Sequence, residues 1–118
     1  MDRIIKAFYN SMRALNRLAR SEKAVQQELV LLALSLPVGW FLAQSWAGYA
    51  LLVGAVLFML LIEVLNTAVE AACNAVSRDF NIDIQLAKDC GSLAVLIAGI
   101  MAAAVWLLAI AGRLWGVA

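Results

Sequence analysis

Histidine is absent from this chain of 118 residues, which removes the commonest metal ligand and the commonest general base. Charge is scarce. Charged residues make up 14% of the sequence, against about 25% in a typical soluble domain. Proline occurs once, at Pro37, and cysteine twice, at Cys73 and Cys90, with no C-x-x-C or Cys/His spacing. Zinc and dithiol redox motifs are therefore excluded, and the two thiols read as small apolar fillers. No Walker A loop and no protein-kinase glycine loop is present. The net charge of +1 provides no field to attract a nucleic acid. What the chain has in excess is apolar surface: 65% hydrophobic residues and a mean hydropathy of +0.91. Small domains bury only part of their surface, so this much apolar area cannot all be hidden from water. An ordinary soluble enzyme, a disordered tail and a disulfide-stapled module are excluded. The length fits one domain, 1–118, whose main solvent is lipid.

Periodicity divides that domain into an all-α arrangement. Within 2–20, Arg3, Lys6, Asn10, Arg13, Arg17 and Arg20 recur every three or four residues, opposite Ile4, Phe8, Met12, Leu15 and Leu18. This pattern predicts an amphipathic helix lying in the membrane interface. An organelle transit peptide is also Arg-rich and acid-poor, but no processing site follows this segment. Ser21 and Glu22 read as the cap and first-turn acid of the next helix. That helix gives a first span over 22–43 only if Gln26, Gln27 and Glu28 sit at headgroup level, and Pro37 is expected to kink it. Gln44 and Ser45 form a tight hairpin. A second span with a cytoplasmic extension covers 46–78, the polar segment Arg78–Asp83 follows, and a third span covers 86–114. Gly91, Ala94, Ala98, Ala102 and Gly112 make a small-residue stripe suited to close helix contact in lipid. No repeat or low-complexity segment is visible.

Six of the nine Lys/Arg, from Arg3 to Lys23, precede the apolar part of the first span, and the first hairpin carries none. The positive-inside rule then predicts a cytoplasmic N-terminus and an extracytoplasmic C-terminus. The carboxylates converge at the cytoplasmic rim. Glu63, Asn66 and Glu70 stand at i, i+3 and i+7, on one helix face. Glu22, Glu28, Lys88 and Asp89 fall at the same depth. Ionisable groups beside a span are costly and mark function by default. Carboxylates without histidine favour a hard cation such as Mg²⁺, held together with phosphate oxygens. This combination points to phosphoryl transfer at a membrane surface.

The segment Glu63-Val64-Leu65-Asn66-Thr67-Ala68-Val69-Glu70, followed by Ala87-Lys88-Asp89-Cys90-Gly91-Ser92, resembles the bacterial integral-membrane diacylglycerol kinase family. Arg3-Ile4-Ile5-Lys6 and Gln27-Glu28 match it at corresponding offsets, so the likeness spans nearly the whole chain. It implies a homotrimeric bundle in the bacterial inner membrane, with sites between subunits that use Mg²⁺ and ATP. By this resemblance Glu63 is the general base, with Asn66 beside it. Glu22 and Glu70 hold the metal. Arg3, Asn10, Glu22, Glu70, Asp79, Phe80, Asn81, Lys88 and Asp89 bind ATP, and Arg3, Glu28, Glu63 and Ser92 meet the lipid. The implied product is phosphatidic acid from diacylglycerol. The chain departs from the family pattern at Asn74 and Ala75, where an Asp and often a basic residue are usual. Two alternatives stand beside this reading. One is a polyprenol kinase of the same family. The other is a non-enzymatic channel or scaffold subunit, although a pore needs polar groups along its whole passage rather than at one rim.

Overall fold

The computed structural model describes residues 1–116, and every regular element among them is helical. Four helices follow one another: α1 (Asp2–Ser21), α2 (Lys23–Leu42), α3 (Trp46–Val76) and α4 (Ile82–Trp115). The last three are long and apolar enough to cross a membrane. Residues 117 and 118, which carry the expected extracytoplasmic C-terminus, lie outside the described residues.

Local chemistry sets the helix ends. Ser21 does not cap α2. It is the last residue of α1, and its hydroxyl donates back to the Arg17 carbonyl at 2.8 Å. Glu22 takes the cap position instead, in an extended conformation (φ −106°, ψ 112°) and with no side-chain cap hydrogen bond. The carboxylate of Glu22 is thus left free at the α1–α2 junction. At the next hairpin, the Ser45 hydroxyl accepts the Gly48 N–H at 3.0 Å and starts α3. Asn81 starts α4 ahead of its apolar run, its side-chain oxygen accepting from the N–H groups of Asp83 and Ile84 at 2.8 and 3.3 Å. Pro37 lies inside α2, which continues through it.

α3 is the central element. It packs against α4 and α2, while α1 touches only α2 and buries none of its residues. The apolar interior is thin: Val25, Leu52, Val56, Cys73, Ala98 and Ala102. Gly91, Ala98, Ala102 and Gly112 are all buried on α4, so the small-residue stripe serves helix contact inside one chain. The Trp106 indole N–H donates to the Leu52 carbonyl at 3.0 Å and fixes α4 against α3. At the same end, Trp40 packs on Trp46 and Tyr49 with centroids 4.9 and 5.5 Å apart, and the Arg113 guanidinium lies 4.8 Å from the Phe41 ring.

Large apolar side chains such as Leu34, Phe41, Leu61, Leu96, Ile100 and Leu107 are exposed. The chain presents 8620 Å² of surface, where a water-soluble monomer of 12.7 kDa presents roughly 6,200 Å². The exposed apolar side chains suit lipid or further helices.

Candidate active site

The polar residues gather at the end of the bundle opposite that aromatic cluster, on the α1–α2 junction, the second half of α3 and the first turns of α4. Consecutive turns of α3 carry Glu63, Asn66 and Glu70. Their spacing lets one amide serve two acids: the Asn66 Nδ2 donates to a Glu63 carboxylate oxygen at 3.4 Å and to a Glu70 oxygen at 3.2 Å. Glu63 is buried, at 8% exposure, and Glu70 is open to solvent. The other end of the amide, Asn66 Oδ1, is buried without a partner and faces Gly91 of α4. A Cβ at Gly91 would collide with this oxygen, so glycine there is what allows Asn66 its position.

Glu28 of α2 is buried against the protein at 7% exposure, with Oε1 unpartnered. It lies close enough to Glu63 for the two carboxylates to interact electrostatically. Burying two neighbouring acids costs stability unless a cation or hydrogen bonds compensate.

A second link crosses the α3–α4 turn, where the Lys88 ammonium donates to Asn74 Oδ1 at 2.9 Å. The residue that departs from the resemblance therefore still receives Lys88, but as a neutral acceptor. Nearby, Glu22 and Glu70 line one open, largely polar cleft with Arg17, Thr67, Asn74 and Arg78. Its volume of about 470 Å³ suits a small ligand. A more apolar recess between the end of α1 and α3 shares Arg17, Glu22 and Thr67 with it.

Among the described residues, no three acidic or thiol side chains lie close enough to hold a metal alone. Two carboxylates from different elements, facing one cleft, do suit a hard cation whose remaining ligands are phosphate oxygens and water.

Not every expected site residue reaches this cleft within one chain. Arg3 and Asn10 are exposed on α1, and Asn10 accepts from Arg13 at 3.0 Å. Asp79 and Phe80 are exposed on the α3–α4 connection, and Asn81 is engaged in capping α4. Asp89 and Ser92 lie on an exposed face of α4. Conversely, Arg17 and Arg78 line the cleft although the motif reading does not assign them. In the sequence Arg17 is one of the periodic cations of the first helix and Arg78 opens the polar segment after the second span, and neither belongs to a motif.

A helical membrane bundle with this acid–amide constellation has well-defined relatives. The family model for prokaryotic diacylglycerol kinase matches residues 9–110. A diacylglycerol kinase of Escherichia coli K12 is 35% identical over 104 residues, covering 88% of this chain and 85% of that protein. A diacylglycerol kinase of Pseudomonas aeruginosa is 31% identical over 106 residues, covering 90% and 86%. One of Haemophilus influenzae is 28% identical over 103 residues, covering 87% of each. With the match running through every helix that builds the site, the chain belongs to the prokaryotic diacylglycerol kinase family.

Proposed function

We propose that this protein is an ATP-dependent diacylglycerol kinase, transferring the γ-phosphate of ATP to the primary hydroxyl of the lipid and releasing phosphatidic acid and ADP. The observation that carries the reading is the Asn66 amide joined to both Glu63 and Glu70, with Glu22 on the same cleft as Glu70. One end of this array is buried beside apolar helix surface and the other opens to water, as a reaction between a lipid alcohol and a soluble nucleotide requires.

Glu63 is the general base. Its buried carboxylate takes the hydroxyl proton as the lipid oxygen attacks the γ-phosphorus and the bond to the ADP oxygen breaks. Asn66 restrains Glu63 and ties its position to Glu70, so acceptor and donor sites keep a fixed separation. Glu22 and Glu70 would hold Mg²⁺, which when bound neutralises phosphate charge. Lys88 and Asp89, with Arg3, Asn10 and the Asp79–Asn81 connection, complete the nucleotide site. Arg3, Glu28 and Ser92 border the glycerol end of the lipid.

The proposal includes a homotrimer with sites shared between subunits. It is supported by the large apolar exposure of the single chain. It is also supported by the position of Arg3, Asn10, Asp89 and Ser92 outside the cleft of one chain, where a neighbour's copies can supply them. We assign the protein to the inner membrane, with α1 as an amphipathic helix on its cytoplasmic surface and the C-terminus outside. The cationic stripe of α1 and the Lys/Arg distribution support this orientation.

The test is purified protein in detergent micelles with Mg²⁺, ATP and a short-chain diacylglycerol, with a polyprenol assayed in parallel. Phosphatidic acid and stoichiometric ADP are expected. Phosphorylation of the polyprenol alone, or of neither lipid, overturns the reading.

A further inference from the structure

We infer that Arg17 and Arg78 are phosphate-binding residues of the cleft, gripping the nucleotide across from Glu22 and Glu70. The inference rests on the reading of this cleft as the nucleotide site. Left to themselves, the two carboxylates would repel a triphosphate. The same cleft is lined by two guanidiniums, one from the last turns of α1 and one from just beyond the end of α3. Both residues are exposed, so a ligand can reach them without displacing a packed group. The four formal charges of Arg17, Arg78, Glu22 and Glu70 cancel, and a bound divalent cation then makes the cleft attractive to a polyanion.

The neighbouring link strengthens this balance. Lys88 donates to the neutral Asn74, which itself lines the cleft. Its ammonium charge is therefore not cancelled by a carboxylate acceptor. Guanidinium suits the task better than a point charge, because its planar fork binds two phosphate oxygens at once. Arg17 and Arg78 also come from separate elements, so a bound phosphate chain would tie the α1–α2 junction to the end of α3.

A phospholipid headgroup presents the same phosphate chemistry, so the experiment separates the two sources. Steady-state kinetics of R17Q, R78Q, R78K and the double Gln variant are measured in neutral-detergent micelles and in micelles containing phosphatidylglycerol. Each Gln variant is expected to raise KM for MgATP roughly tenfold in both, equivalent to about 1.4 kcal/mol of lost binding. The kcat and the lipid KM stay within about twofold, and R78K recovers only part of the loss. An active wild type whose double variant keeps its KM for MgATP overturns the inference while leaving the kinase reading intact. A change confined to the lipid KM, or to the phosphatidylglycerol micelles, also overturns it and assigns the guanidiniums to headgroups. A wild type that phosphorylates no lipid overturns the kinase reading itself.

Discussion

Replacing Glu63 with Gln keeps the volume of the side chain and an oxygen for the Asn66 amide, but removes the carboxylate proposed as the base. Turnover of Glu63→Gln is expected to fall at least about 10²-fold, the lower range of general-base contributions, with helicity by circular dichroism unchanged. Gly91 offers an independent probe of the same array. A methyl group at Gly91→Ala meets Asn66 Oδ1 and displaces the amide that joins Glu63 to Glu70. Misplacement of reacting groups by about 1 Å can cost roughly 10²-fold, so G91A should lose turnover on that scale while remaining helical. Activity within a few-fold of wild type would show that the Asn66 bridge does not position the acids. The register of Glu63, Asn66 and Glu70 is legible in the sequence because helix spacing alone aligns them. The approach of Glu28 to Glu63, and of Lys88 to Asn74, is not, because it depends on how separate helices cross. Arg17 and Arg78 escape notice for the same reason: each looks like an ordinary surface cation until two elements meet.

Helix existence follows from the length of each apolar run, and the ends follow from short-range competition for orphan N–H groups. Asn81 wins that competition at α4 with two hydrogen bonds. Ser21 loses it at α2 because its hydroxyl folds back onto Arg17, an outcome that the residue type does not reveal. The α4 cap also sets where the first turns of α4 begin, and hence where Lys88 stands relative to Asn74. Asn81→Ala removes the cap and should cost about 0.5–2 kcal/mol, read as a lower unfolding midpoint in a denaturing-detergent titration. An unchanged midpoint would mean that the turn is held by packing alone. Pro37 removes the N–H that the Ala33 carbonyl would otherwise accept, yet α2 runs on to Leu42. Alongside it, the Tyr49 hydroxyl donates to the Leu36 carbonyl at 2.9 Å, binding this part of α2 to α3.

α3, at 31 residues, is about 46 Å long at the helical rise, well beyond the ~30 Å hydrocarbon layer. In the proposed orientation the surplus carries Glu70 and Asn74 beyond the hydrocarbon towards water, with Glu63 nearer the apolar run that ends at Ile62. One protomer cannot cover all of its apolar sides. Cross-linking in native membranes should therefore yield trimers as the largest species, and a reporter fused after the C-terminus should be active only outside the cytoplasm. Dimers alone, or a cytoplasmic reporter, would contradict the proposed assembly or orientation respectively. Membrane crossing is legible from composition, whereas subunit number is not, because a lipid-facing side chain and a subunit-facing one have the same apolar character.

The placement of the tryptophans has a spectroscopic consequence. The chain has four, and Trp106 is tied to Leu52, which lies about 27 Å along α3 from Glu70. Trp40 and Trp46 pack together at the first hairpin, and Trp115 is the last residue of α4. Intrinsic emission therefore watches the end of the bundle opposite the proposed site. It should respond strongly to brominated acyl chains and stay nearly silent when nucleotide binds, so an extrinsic dye at Cys90, which is exposed, is the better reporter for the proposed nucleotide site.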